Sequence, residues 1–376
     1  VRFDRTNQST LGRWWWTIDR PIWFALLSLM ALGAVMVTAS SPPVALRIGL
    51  DQFYFVSRQH VFLLIAVLVT FLISLLPVHA VRRLSVIALL GSVALMALLP
   101  LIGFENKGAT RWIHLAGISI QPSEFMKPAF AVVIAWVFAE KHLKMDFPGF
   151  RVACIIYAVV AVLLISQPDF GMTVTLSVMF ALQFFLAGLP FFWVLVMAAL
   201  GVLGVISAYR MLPHVTARID RFLDPSSGDN YQVEKSLQAF KNGGLLGRGP
   251  GEGEIKHFIP DSHTDFVFSV AGEEYGVIAC LLIIGLFAFI VLRGYIRLLR
   301  ESDPFIILAV AGLLAQFGMQ AIINMGVAVN LMPAKGMTLP FLSYGGSSLV
   351  AMAFGMGMLL ALSRRRYGNY KVDVRA

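Results

Sequence analysis

Long apolar stretches alternate with short polar connections along the chain, ten times over. The stretches fall at approximately 21–40, 60–78, 84–103, 122–139, 152–167, 170–187, 190–209, 266–292, 305–328 and 342–362. A helix of about 20 mostly apolar residues crosses roughly 30 Å of hydrocarbon. The pattern therefore predicts an all-α polytopic membrane protein of about ten transmembrane helices. The fifth and sixth stretches meet at Gln167-Pro168-Asp169-Phe170-Gly171, which parts them into two. One segment breaks the rhythm: residues 210–265, rich in glycine and charge, form a large polar loop between spans seven and eight. The expected organisation is an N-terminal tail (1–20), a ten-helix membrane domain (21–363) and a basic C-terminal tail (364–376).

Composition agrees with this class. The chain is 58% hydrophobic and 14% charged, against about 25% charged residues in soluble domains. Its net charge of +9 reads as topology rather than nucleic-acid affinity. With both termini inside, seventeen lysines and arginines lie in cytoplasmic segments, among them Arg2, Arg5, Arg82, Arg83, Arg293, Arg297, Arg366, Lys371 and Arg375. The short loops of the other side hold five: Arg47, Arg58, Lys107, Arg111 and Lys335. Such a bias marks the cytoplasmic face, and a loop as long as 210–265 translocates regardless of its charge. Termini inside and polar loop outside is the expectation. Trp14, Trp15 and Trp16 beside Arg13 and Arg20 fit an interfacial belt. Cys154 and Cys280 fall within spans, so no disulfide framework is expected. The first apolar run is too long for a signal-peptide core, and a second span follows it.

Ionisable residues within spans are costly unless paired or facing a wet cavity, so they mark candidate chemistry. The fourth span opens Gln121-Pro122-Ser123-Glu124-Phe125-Met126-Lys127-Pro128. Pro122 suits a first helical turn, and Glu124 and Lys127 share a helix face. Pro128 leaves the Glu124 carbonyl without its helical donor. Counting spans brings Asp169 and Asp265 to the same membrane depth. Lys127 can be held by Glu124 or face an anionic substrate group; a bridge from Lys127 to Asp169 is expected. Asp265 can cap the eighth span within His263-Thr264-Asp265 or act as a base. The glycines at 243, 244, 247, 249, 251 and 253 lack the Gly-Lys-Ser/Thr ending of a nucleotide loop and are expected to turn over the cavity. His214, His257 and His263 have no zinc-ligand spacing. Before the tenth span, Ser343-Tyr344-Gly345-Gly346-Ser347-Ser348 can seat phosphate oxygens on helix N–H groups or pack closely through small residues.

Five ordered stretches resemble the SEDS family, the shape, elongation, division and sporulation proteins of bacteria. They are Gly108-Ala109-Thr110-Arg111-Trp112-Ile113, Gln121-Pro122-Ser123-Glu124, Gln167-Pro168-Asp169-Phe170-Gly171, His263-Thr264-Asp265-Phe266 and Leu339-Pro340-Phe341-Leu342-Ser343-Tyr344-Gly345-Gly346-Ser347-Ser348. The Lys335-Gly336-Met337-Thr338-Leu339-Pro340 run is closer to the division (FtsW-type) branch than to the elongation (RodA-type) branch. Asn330 stands where the family usually has glycine, and Asn tolerates the left-handed conformation well.

The resemblance implies a peptidoglycan glycosyltransferase of the bacterial cytoplasmic (inner) membrane, at the division septum. Its substrates would be lipid II and undecaprenyl-diphosphate-linked glycan. Its partners would be a class B penicillin-binding protein of the division type (FtsI-like) and other divisome proteins. The resemblance makes Asp265 the essential catalytic carboxylate, with Trp112, Glu124, Lys127 and Asp169 lining the cavity. His263, Ser343, Gly345 and Gly346 join them as substrate-binding candidates through their motifs. Turning an α-diphosphate linkage into a β-1,4 bond inverts the anomeric carbon, so one displacement with one base suffices. Lys127, Arg111 and Arg218 are candidate partners of the leaving diphosphate, with or without a divalent cation (Mg or Mn).

Two other classes compete. A lipid II flippase needs access from both faces, whereas the unusual charges cluster in one half. A recruiting scaffold gives no reason for Lys127 inside a span. An elongation-type polymerase remains the same chemistry in the other branch.

Overall fold

The computed structural model describes residues 9–365, apart from 107–108, 116–117, 145, 189, 225–229 and 334. Arg2, Arg5, Lys107, Gly108, Arg366, Lys371 and Arg375, invoked above, lie outside the described residues. So does nearly all of the tail 364–376.

Each of the ten apolar stretches is a helix, and the polar segments add four more. In order they are α1 (Thr10–Thr17), α2 (Arg20–Ser40), α3 (Pro42–Arg47), α4 (Tyr54–Ser74), α5 (Val78–Ile102), α6 (Pro122–Leu143) and α7 (Gly149–Ser166). There follow α8 (Phe170–Leu186), α9 (Phe191–Met211), α10 (Pro213–Leu223), α11 (Tyr231–Gly243), α12 (Val267–Leu298), α13 (Pro304–Ala328) and α14 (Gly346–Leu362). Seven of them, α2, α4, α5, α6, α7, α12 and α13, are long and apolar enough to cross a membrane alone. Helices α8 and α14 are apolar but shorter, and the apolar α9 is followed after a sharp bend by the amphipathic α10, a pair that is long and apolar enough only when taken together.

Helices α6 and α13 are buried along most of their length and form the axis of the bundle. Helix α6 packs against α5, α7, α8, α13 and α14, and α12 packs against α2, α11 and α13. The outer helices expose leucine and isoleucine, such as Leu64, Ile87, Leu90 and Ile155. A helix apolar all round belongs in a bundle core or in lipid, and these faces belong in lipid.

Two of the connections between apolar stretches are structured. Residues 104–120 form an antiparallel sheet, β1 (Phe104–Asn106), β2 (Ala109–Leu115) and β3 (Ile118–Ile120), in the order β1-β2-β3. Phe104 lies opposite Trp112, and Ile113 opposite Ile120. The 210–265 segment carries α10, α11 and a 3₁₀ turn at Ile255–His257. Asn330 does adopt the left-handed conformation, at φ +58°.

The glycine-rich run does not turn over the cavity; it threads against a break in α12. Gly276 has φ +75°, and a Cβ there would stand 2.3 Å from the Leu245 carbonyl oxygen. The loop replaces the helical bonds that lapse. Val277 N–H donates to the Gly244 carbonyl (3.0 Å), while Arg248 and Gly249 N–H donate to the carbonyls of Glu273 (2.9 Å) and Glu274 (3.0 Å). Two fully buried acids complete the join. The Glu273 carboxylate accepts from the N–H groups of Glu254 (2.9 Å), Ile255 (2.8 Å) and Lys256 (3.1 Å) and from the Asn242 amide (2.9 Å). Glu274 pairs with Lys256 and accepts from Gly251 N–H at 3.0 Å.

These bonds make the loop and α12 one unit. Each buried donor left without an acceptor costs about 1–3 kcal/mol, so Glu273→Ala should lower the melting temperature sharply in detergent. Glu273→Gln, which keeps one acceptor oxygen, should lose less. A melt of Glu273→Ala unchanged from wild type contradicts this role.

Candidate functional site

At the end of the bundle that carries α10 and α11, a cavity of about 600 Å³ opens. Its walls come from distant parts of the sequence. Strand β2 supplies Arg111 and Trp112, the start of α6 Glu124, the α7–α8 turn Asp169, and α10 Arg218. The turn before α12 supplies Asp265, the segment between α13 and α14 supplies Lys335 to Thr338, Tyr344 and Gly345, and the start of α14 supplies Gly346 to Ser348.

Asp265 ends a turn in which the Asp261 carbonyl accepts from the N–H groups of Thr264 (3.2 Å) and Asp265 (3.0 Å). Phe266 occupies the N-cap position of α12, so Asp265 sits one place short of capping. From behind, the Asn324 amide on α13 donates to the Asp265 carbonyl (2.8 Å) and to the Met337 carbonyl (2.6 Å). The carboxylate lies along bare backbone at Gly336, where a Cβ would stand 3.1 Å from Asp265 Oδ2.

Asp169 caps α8, its Oδ1 accepting from Met172 N–H at 3.1 Å. Its Oδ2 faces an Arg111 guanidinium nitrogen at 3.6 Å. Arg111 also donates to the carbonyls of Gln167 (2.9 Å) and Pro168, locking β2 to the α7–α8 turn. Arg218 joins this group across the cavity. Burial and the Arg111 charge lower its pKa, while Asp169 and Asp265 pull the other way; a guanidinium stays charged throughout.

Lys335 is the residue that sequence reasoning missed as a site candidate, having used it only as a topology marker and as part of the division-branch run. Its half-buried side chain runs along Gly171, where a Cβ would meet its Cε at 2.0 Å. Its Nζ lies 3.1 Å from Met337 Sδ and 3.4 Å from Thr175 Oγ1. Burial draws its pKa down to about 7, against the attraction of Asp169 and Glu124. An anion placed beside it favours the charged form.

Three expectations need correction. Lys127, 1% exposed, bonds Glu124 Oε2 at 2.9 Å and Gln320 Oε1 at 3.1 Å rather than bridging to Asp169. It stands behind the wall, not in it, because a partner one helical turn away needs no further chain ordering. His263 is buried with its ring against Phe55 (4.6 Å) and Tyr344 (5.5 Å), outside the cavity lining. Burial pulls its pKa down to about 4, so the ring is neutral near pH 7. Ser343 is also turned away: its Oγ accepts from Leu339 N–H at 2.8 Å and closes the turn before α14.

Gly345 and Gly346 do line the cavity, at the N-terminus of α14. Ser347 beside them has a buried hydroxyl with no partner among the described residues. A helix start with unsatisfied N–H groups and a spare hydroxyl suits an anionic oxygen. Among the described residues, no three His, Cys, Asp or Glu side chains converge as a metal-binding group.

Comparison with known proteins places this geometry. The FTSW_RODA_SPOVE family model, described as cell cycle protein, matches residues 19–368. A probable peptidoglycan glycosyltransferase FtsW from Caulobacter vibrioides is 45% identical over 369 residues, covering 98% of this chain and 95% of the relative. A structure described as showing the coordination of polymerization and crosslinking by a peptidoglycan synthase complex superposes with a TM-score of 0.76 at 27% identity, covering 92% of this chain and 97% of the other. The crystal structure of the rod shape determining protein RodA of Thermus thermophilus gives 0.70 at 26% identity, covering 94% and 99%.

The observed pairing of Lys127 sets a coupling test. Removing one partner of a buried ion pair typically costs about 3–5 kcal/mol, so Lys127→Ala should melt well below wild type. Adding Glu124→Ala should recover part of that loss, whereas adding Asp169→Ala should only add to it. Recovery with Asp169→Ala and not with Glu124→Ala, read in thermal melts of the purified proteins, contradicts the pairing.

Proposed function

The chain belongs to the FtsW/RodA/SpoVE family of cell cycle proteins, and we propose that its charged cavity is where lipid II units are joined into glycan. It is a peptidoglycan glycosyltransferase of the FtsW branch, acting in septal cell-wall synthesis. The observation that carries the assignment of the site is the Asp265 carboxylate, sharing a cavity with Arg111, Arg218, Lys335 and the N-terminus of α14, where Asp169 is faced by Arg111 and Glu124 is held by Lys127.

In this reading the acceptor is the 4-hydroxyl of an incoming lipid II and the donor is a glycan on undecaprenyl diphosphate. Asp265 takes the hydroxyl proton as the new C1–O4 bond forms. The C1–O bond to phosphate breaks on the opposite face, and its electron pair leaves with the diphosphate. Arg111, Arg218 and Lys335 offset the charge that develops there, and the start of α14 with Ser347 seats phosphate oxygens. Trp112 offers an aromatic face beside the sugars. Lys127 acts at one remove, by fixing Glu124 in the wall.

The excess of Lys and Arg in the segments opposite the cavity supports an arrangement with the cavity on the outer face and both termini in the cytoplasm. Cross-linking falls to another protein. A class B penicillin-binding protein of the division type fits that need, since the sequence motifs contain no Ser-x-x-Lys transpeptidase pattern of their own.

Purified chain in liposomes containing lipid II, with and without that partner, tests the reading. We expect a glycan polymer ladder on a gel, much weaker for the chain alone. Lipid II translocation without polymer would assign a flippase instead, and equal polymerisation with and without the partner would refute the dependence.

A further inference from the structure

A second cavity, of about 720 Å³, lies at the opposite end of the bundle. Helix α12 starts beside the first cavity, and at 1.5 Å per residue it rises roughly 40 Å before reaching Arg293. The two cavities therefore open at opposite membrane boundaries. The second is lined by Trp16, Asp19, Arg20, Arg293, Arg297 and Arg365. Four guanidiniums against one carboxylate leave an excess of three positive charges.

The arginines are held in place before any ligand arrives. Asp19, buried at the N-cap of α2, accepts from Arg293 Nε at 2.8 Å and from Arg297. It also accepts from Ile22 N–H at 3.2 Å. The Arg20 guanidinium lies 4.8 Å from the Trp15 ring centre and 4.5 Å from that of Trp16, and its Nε donates to the Trp15 carbonyl at 3.1 Å. Arg365 N–H donates to the Thr17 carbonyl at 2.9 Å, fixing the segment after α14 over the same cavity. With Asp19 already engaged by two of them, the other arginines have charge to spare.

We propose that this cavity binds the phosphate headgroup of an anionic membrane phospholipid. A guanidinium fork matches phosphate oxygens, and basic pockets between helices at the cytoplasmic boundary hold such headgroups. A lipid is favoured over a soluble anion because Trp16 lines the site and Trp15 stands beside it, whereas Trp14 is buried in the core. Phe24, which packs on Trp15, is 53% exposed and offers an apolar path for acyl chains. The site is separate from the polymerising cavity and shares no residue with it.

The test uses the full chain in phosphatidylcholine nanodiscs, titrated with cardiolipin while the melting temperature is followed. Cardiolipin should stabilise the wild type. Its apparent affinity should fall by roughly tenfold or more in Arg20→Gln/Arg365→Gln, which leaves the Asp19 ion pairs intact. Should the double variant fail to fold, Arg365→Gln alone, at an exposed side chain, should lose part of the affinity. Inorganic phosphate without cardiolipin should give no arginine-dependent shift. Equal cardiolipin responses in wild type and variants overturn the proposal. An arginine-dependent response to inorganic phosphate alone also overturns it, in favour of a soluble anion.

Discussion

The cavity hangs on two hydrogen bonds from one side chain, the amide of Asn324. This residue is 1% exposed on α13, the buried axis of the bundle. It donates to the carbonyls of Asp265 and Met337, which belong to two irregular segments far apart in sequence. Neither segment has a helix or sheet ladder to satisfy its backbone there, and a buried carbonyl without a donor is costly. Asn324 meets both needs at once. The Asp265 carboxylate is thereby set against Gly336, and the turn that carries it is tied to the segment that carries Lys335.

Around this joint, buried and half-buried charges divide the work. Lys127 with Glu124 and Gln320, and Lys256 with Glu273 and Glu274, are withdrawn from water and fixed by several partners. Unpaired ions at such depth would be expensive, so these groups hold the frame. The Lys127 network runs on from Gln320 to the Thr338 carbonyl (3.1 Å), just beyond Lys335 in the chain. Arg111, Arg218 and Lys335 instead face the cavity, where the proposed diphosphate would complete their neutralisation. Lys335 shows the logic most clearly. Burial has brought its pKa down to about 7, and an arriving anion would favour the charged form.

Much of this was legible before the structure. Ten apolar runs gave ten helices, because hydrocarbon leaves a backbone little choice but the helix. Counting spans brought Glu124, Lys127, Asp169 and Asp265 to one depth, and the structure puts all but Lys127 in one cavity. The failures have physical causes. Helices α10 and α11 are amphipathic and polar on average, so an apolar-run reading passes over them. The three strands of 104–120 are too short to show an alternation. Glu273 and Glu274 sit inside an apolar run and were absorbed into the span, although two adjacent acids there were a signal of buried acceptors. His263 and Ser343 were included because their motifs contain cavity residues. Neighbours in a turn point different ways, and two positions separate a buried ring at His263 from a cavity carboxylate at Asp265.

In the proposed reaction Asp265 serves the chemistry rather than the fold. The most direct measurement is polymerisation of lipid II by purified Asp265→Asn beside wild type, each with its partner, with a thermal melt and a lipid II binding curve on the same preparations. Asparagine keeps the size and hydrogen-bonding shape of the side chain but cannot accept a proton. We expect a near-wild-type melt, retained lipid II binding and no glycan polymer. Polymer at a near-wild-type rate would contradict that role.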